Sequence, residues 1–303
     1  MTTLLARGVG LVVVASLATG CARAPAASSQ PVPVTRATYR HAQGSREFVV
    51  FTPSSIPRES ESRALVVMLH GCMQTADDFA RGTRMNAAAQ RDGFIVLYPE
   101  QSATANPQKC WNWFTPDQST RDRGEAAVLA GMIDSIARAE GVSASRVSLV
   151  GMSAGAAMAA NLAVAYPERY AALAMHSGIP ALAAKDVMAG LAVMRQGAAD
   201  GDVLGATALA AMGPRARAIP VIALQGSEDR IVSPTNLRSI VRQWTVVNAG
   251  APGGRAAVEE VMLDGVGHAW SGGSTDGTFT APSGADATGM IVSFLKRAGA
   301  IGT

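Results

Sequence analysis

The sequence predicts an α/β fold, a mostly parallel central sheet with helices on both faces, and three observations predict it. Short apolar runs alternate along most of the chain with longer segments of helical period. Runs such as Ala64–Leu69 and Phe94–Tyr98 are apolar without alternation, as strands covered on both faces are. Chemistry-bearing residues then fall just behind the ends of those runs, where a parallel sheet places its ligand site. Composition agrees. The chain has 303 residues, of which 48% are hydrophobic and 16% charged, so it is too apolar for disorder and long enough for one large core. The net charge of +3, from 26 basic and 23 acidic residues, comes without a Lys/Arg run, and no nucleic-acid partner is expected. No period of roughly 20 to 50 residues repeats, which argues against solenoids and propellers.

Residues 1–20 read as a signal peptide. One positive charge lies within Met1–Arg7, and the apolar stretch Val9–Leu17 is too short to span a bilayer. Leu17-Ala18-Thr19-Gly20-Cys21 resembles a lipoprotein cleavage box with Cys21 as the lipidated residue, although Ala18 stands where a larger aliphatic residue is usual. Ala22-Arg23-Ala24 offers an ordinary cut instead. Export is expected on either reading, with a lipid anchor at Cys21 as the only membrane contact. Residues 21–36 form an Ala/Pro/Ser-rich tether, and 37–303 a single catalytic domain.

Within that domain, Thr38–Arg40 and Glu47–Thr52 read as a hairpin broken at Gln43-Gly44-Ser45, and Ala64–Leu69 as the first buried strand. Asp77–Arg91 is a helix closed by Gly93, and Phe94–Tyr98 a strand stopped by Pro99. A helix over Glu125–Ala139 follows, then the strand Val147–Val150 and the helix Ala154–Ala165. Tyr170–Met175, Val221–Leu224 and Val258–Leu263 are further strands. Ser233–Val246 and Gly284–Arg297 are the last helices. The stretch 179–218, rich in Ala, Leu and Met (Met188, Met194, Met212), is expected to lie over the site as a small helical cap able to adapt to apolar groups.

Gly151-Met152-Ser153-Ala154-Gly155 stands between a strand and a helix. A nucleophilic serine needs a sharp turn that lifts its hydroxyl clear of the sheet, and small residues on either side let strand and helix pack closely. Its proton must go to a base. Of four histidines, His41 lies in the hairpin, His70 in a backbone turn and His176 directly after the next strand. His268, in Gly265-Val-Gly-His-Ala-Trp270 behind the last strand, fits the order Ser, Asp, His. Asp229, in Gln225-Gly-Ser-Glu-Asp229, is the acid expected to orient that ring; Glu228 and Asp264 are its competitors, with Asp200 and Asp202 in the expected cap as remoter ones. Two amides must receive the developing oxyanion, and those of Ala154 and Cys72 are the candidates. Cys21, Cys72 and Cys110 are the three cysteines. With Cys21 lipidated or removed, Cys72 and Cys110 remain as a pair in an oxidising compartment; two separate buried thiols are the alternative. A bridge would close a loop of about 39 residues, worth roughly 3–4 kcal/mol, and would hold an oxyanion donor in register.

His70-Gly-Cys-Met-Gln-Thr75, Tyr98-Pro-Glu-Gln101, Cys110-Trp-Asn-Trp-Phe114, Gly151–Gly155 and Gly267-His-Ala-Trp-Ser-Gly-Gly273, in that order from about residue 38 to 298, resemble the catalytic domain of extracellular polyhydroxybutyrate depolymerases, to which feruloyl and acetylxylan esterases are related. The resemblance implies an α/β-hydrolase fold, a triad of Ser153, Asp229 and His268, and oxyanion donors at Cys72 and Ala154. Depolymerases that attack solid polymer usually continue into a separate binding domain, whereas this chain stops at Thr303, which favours soluble oligomers or other short esters. Trp111, Trp113 and Trp270 are expected as aromatic walls for the substrate, with core packing as the alternative for the first two. The expected function is that of an exported serine esterase acting on 3-hydroxybutyrate oligomers or similar short esters, with no metal or organic cofactor. A feruloyl or acetylxylan esterase is the alternative, and a binding protein with idle chemistry on the same scaffold a remoter one.

Overall fold

The computed structural model describes residues 34–54, 56 and 63–302. The expected signal peptide, Cys21 and the tether as far as residue 33 lie outside the described residues. The tether was expected to run to residue 36, but the first strand already begins at Val34, because Val34, Thr35 and Arg36 pair with Phe51, Val50 and Val49.

In chain order the elements are β1 (Val34–His41), β2 (Gly44–Phe51), β3 (Leu65–Leu69), α1 (Ala76–Thr83), α2 (Met85–Asp92), β4 (Ile95–Glu100), α3 (Pro116–Ser119), α4 (Gly124–Ala139), β5 (Val147–Met152), α5 (Ala154–Ala165), β6 (Ala172–His176), α6 (Val187–Gln196), α7 (Gly201–Met212), β7 (Val221–Gly226), α8 (Thr235–Gly250), β8 (Val258–Leu263), β9 (Trp270–Ser271), β10 (Thr280–Ala281) and α9 (Ala287–Arg297). The first eight strands form one sheet in the order β1-β2-β4-β3-β5-β6-β7-β8, antiparallel as far as β4 and parallel from there on. This is the α/β-hydrolase architecture. β3 shows why its sequence is a continuous apolar run. Leu65, Val67 and Leu69 enter the core shared with α4 and α5, while Val66 and Met68 enter the core shared with α1, α2 and α9. Both faces are covered, so no position in the strand is free to be polar.

Two expectations are corrected here. The single helix over 77–91 is two helices, since Arg84 adopts φ +55°, ending α1 and starting α2. The buried Thr83 before it donates its hydroxyl to the Phe79 carbonyl, and its own carbonyl accepts from Thr288 of α9. The cap is smaller than 179–218. Only α6 and the segment around Ile179 border the site cavity, whereas α7 lies against α8 and α5 with Leu204, Ala208 and Met212 buried. Gly201 and Gly205 permit that packing, because a Cβ at either would come within 2.6 Å of α8 atoms.

Candidate active site

The nucleophile candidate sits on the bend between β5 and α5, where Ser153 is held at φ +55°, ψ −123°. A side chain in that region costs of order 1–3 kcal/mol and persists only where the surroundings enforce it. They do so here through close packing. A Cβ at Gly155 would lie 2.0 Å from the Leu69 carbonyl oxygen, and one at Gly151 would lie 2.4 Å from the Gly155 carbonyl carbon. The Ser153 amide donates to the His176 carbonyl at 2.9 Å, and the residue is 6% exposed. Its Oγ has no protein hydrogen-bond partner among the described residues and belongs to the wall of a cavity of about 550 Å³.

Asp229 lies in the turn behind β7. Its Oδ1 accepts from the amides of Ile231 and Val232, both at 2.9 Å. Its Oδ2 accepts from Gln225 Nε2 at 2.9 Å and from His268 Nδ1 at 2.7 Å. Burial pushes this carboxyl up, but the hydrogen bond and charge of His268 and the two amides outweigh it and hold the group below the usual carboxylate range. A carboxylate only accepts, so Nδ1 carries the proton and Nε2 is the free nitrogen of His268. His268 lines the same cavity as Ser153. The two side chains are not hydrogen bonded to each other, a looseness common where no substrate is bound. Glu228 is exposed, and Asp264 is an exposed acceptor for Ser227, so neither competes with Asp229 for the ring.

The turn behind β3 carries the Cys72 amide. Cys72 is bonded to Cys110, which settles the choice between a bridge and two thiols. The loop that follows β4 grips this turn further. Met73 donates its amide to the Gln108 carbonyl at 2.7 Å, Trp111 donates its indole N–H to the His70 carbonyl at 3.1 Å, and Gln101 donates its amide to His70 Nε2 at 3.0 Å. Burial drives the His70 pKa down to about 4, so its ring stays neutral and keeps accepting from Gln101. Among the described residues neither the Cys72 nor the Ala154 amide is bonded to a protein acceptor, and both residues border the cavity beside Ser153. Two free donors next to a hydroxyl can stabilise a tetrahedral oxyanion.

The aromatic expectations divide. Trp113 lines the cavity, meeting Phe114 edge to face at 5.5 Å, and Gly190 lets α6 come down on the pair. Trp111 does not line the cavity; it is fully buried, with its N–H spent on the His70 carbonyl. Trp270 does not line it either. It is 1% exposed, stacks on His176 at 5.1 Å, meets Phe79 edge to face and donates to Thr288. Of the stretch expected over the site, Met194 borders the cavity, and Val187, Gly190 and Leu191, not singled out in the sequence, bring the same face of α6 to it; Ile231 and Phe279, also not singled out, complete its lining. The spacing 187, 190/191, 194 was the signal available. His176, set aside as a base in favour of His268, has a structural place instead. It is wholly buried, its Nε2 accepts from the Ser271 amide at 3.3 Å, and burial lowers its pKa to about 3, followed by the nearby charge of His268. Among the described residues no Asp, Glu, Lys or Arg lines the cavity. Among the described residues no three His, Cys, Asp or Glu side chains are grouped to hold a metal, and no helix is long and apolar enough to cross a membrane.

Comparison with known proteins gives this geometry a context. Poly(3-hydroxyalkanoate) depolymerase C of Paucimonas lemoignei is 34% identical over 208 residues, 67% of this chain and 48% of the relative. Feruloyl esterase B of Neurospora crassa is 35% identical over 117 residues, 38% of this chain and 39% of its own. The chain thus spans less than half the length of these curated relatives. Among solved structures, an acetyl xylan esterase from Aspergillus awamori superposes with a TM-score of 0.67 at 20% identity, covering 78% of this chain and 94% of that one. A poly(3-hydroxybutyrate) depolymerase from Bordetella parapertussis gives 0.52 at 19% identity, covering 77% and 85%. At such identities these two likenesses speak for the fold alone. The esterase PHB depolymerase family model matches residues 48–262, well over half of the chain, and the protein therefore belongs to that family.

Proposed function

We propose that this protein is an exported serine esterase that hydrolyses neutral carboxylic esters, with hydroxyalkanoate oligomers as its substrate class. The observation that carries the reading is the His268–Asp229 pair, whose free Nε2 belongs to a ring lining the same cavity as the unbonded Ser153 hydroxyl. Ser153 Oγ attacks the ester carbonyl carbon while His268 Nε2 takes its proton, and Asp229 stabilises the resulting imidazolium. The carbonyl oxygen, now an anion, receives the Cys72 and Ala154 amides. The imidazolium returns its proton to the departing alkoxide. Water, deprotonated by the same nitrogen, then hydrolyses the acyl-enzyme and regenerates Ser153.

A cavity wall without Asp, Glu, Lys or Arg among the described residues suits an uncharged substrate, because an unpaired charge brought into it would lose hydration without compensation. The family and the Paucimonas lemoignei relative favour hydroxyalkanoate esters. The Trp113–Phe114 wall favours a second reading, an aromatic acyl group such as a ferulate. The disulfide supports the exported location expected from the N-terminus. Turnover of 3-hydroxybutyrate trimer and of methyl ferulate by the protein and by Ser153→Ala tests the proposal. The variant is expected to lose about 10⁶-fold in kcat while keeping its circular dichroism spectrum. Retained turnover in Ser153→Ala refutes the nucleophile, and a preference for the ferulate replaces the first substrate class with the second.

A further inference from the structure

We propose that Glu125 is a positioning residue for the oxyanion hole, acting through the loop that carries Cys110; the inference rests on the serine-esterase reading above. Glu125 stands in the first turn of α4 and is 1% exposed. Its Oε1 accepts from Arg46 Nη2 at 3.0 Å, Gln101 Nε2 at 2.5 Å and Asn112 Nδ2 at 2.6 Å, and its Oε2 accepts from the Asn112 amide at 2.7 Å. Three of those four bonds go to residues 101 and 112, which flank Cys110 on either side. Gln101 Nε2 also donates to the Cys110 carbonyl at 2.9 Å, so the carboxylate holds Cys110 both through Gln101 and through Asn112.

The same loop makes the contacts that grip the Cys72 turn: the Gln101 amide to His70, the Trp111 indole to His70, the Met73 amide to Gln108, and the disulfide itself. Between 103 and 108 the loop is mostly exposed, and Glu125 ties it to α4 beside its other anchors, the Lys109–Glu100 ion pair and the hydrogen bond from Asn161 to the Trp113 carbonyl. A disulfide alone leaves torsional freedom about five bonds, whereas an oxyanion donor must be fixed before charge develops. A buried ion pair such as Arg46–Glu125 is weak evidence of a stabilising role, and the direction of these bonds, toward the oxyanion turn, gives the pair a different task.

Glu125→Gln is the sharpest perturbation. One end of the glutamine must present N–H groups to a site that already supplies donors, either the Asn112 amide or the trio at Oε1. With active sites titrated to completion by an organophosphate, kcat per site on a nitrophenyl ester is expected to fall about 10- to 100-fold, with KM changed by less than about threefold. The inhibition constant of an alkyl trifluoromethyl ketone, which forms the tetrahedral oxyanion, is expected to rise by the same factor as kcat/KM falls. A lowered Tm with kcat per site and ketone affinity unchanged overturns the proposal. Should Glu125→Gln fail to fold, Asn112→Ala on the partly exposed loop takes its place, with a smaller but equally matched loss in kcat and ketone affinity; no change in either overturns it. Ser153→Ala run alongside separates the two failures. Retained turnover there refutes the serine reading, whereas abolished turnover beside an unaffected Glu125→Gln refutes the positioning role alone.

Discussion

Two buried neutral imidazoles should make this protein acid-labile well above the range in which carboxylates protonate. His70 and His176 are fully buried, and burial lowers their pKa from 6.5 to about 4 and about 3. The unfolded chain therefore binds protons that the folded chain refuses, and stability falls as pH drops through 6.5 toward those lowered values. Between pH 7.5 and pH 5 each ring withdraws about 2 kcal/mol of unfolding free energy, about 4 kcal/mol together. That is a large share of the 5–15 kcal/mol typical of a domain. Asp229 does not contribute in this window, because a carboxyl held low adds stability above its ordinary value of 3.8 and loses it only below. Urea unfolding followed by tryptophan fluorescence at the two pH values, with equal slopes, measures the difference. His176→Gln, which keeps an acceptor near Ser271, should halve the pH-dependent part. A difference under about 1 kcal/mol, or an unchanged pH dependence in His176→Gln, refutes the reasoning.

Two further outcomes follow from the packing around the site. Reducing the Cys72–Cys110 bond releases a loop of about 39 residues and should cost about 4 kcal/mol in the chain-entropy description; a melting curve and a kcat unchanged by reductant would contradict both its stabilising and its positioning parts. Gly155→Ala places a Cβ 2.0 Å from the Leu69 oxygen, and since the neighbour is backbone the bend must move. A destabilisation of about 3 kcal/mol with loss of esterase turnover is expected, and wild-type kinetics would disprove the close-approach argument.

What was legible in the sequence follows from which physical constraints leave a mark on residue type. Strands such as β3 are covered on both faces, so their run of apolar residues announces them. The turns behind β5 and β7 and the loop behind β8 follow from strand order, and that placed Ser153, Asp229 and His268 at one end of the sheet. Direction of a side chain leaves no such mark. Trp111, Trp113 and Trp270 read alike, yet one faces the cavity and two fill the interior, because each depends on which way a loop turns. The left-handed Arg84 that divides α1 from α2 carries an ordinary side chain and no glycine to betray it. Glu125 lies in an unremarkable helix start, and only the folded chain brings residues 46, 101 and 112 to it. Likewise the apolar residues of 179–218 read alike, and only the folded chain separates Met194 on the cavity wall from Met212 buried in α7 and Met188 exposed on α6.

His176 joins two distant stretches of chain at one point. Its carbonyl takes the Ser153 amide, while its ring receives the Ser271 amide and stacks on Trp270, two residues beyond His268. The proposed nucleophile and base therefore share one mooring, the buried end of β6, which is separate from α6, the helix that borders the cavity.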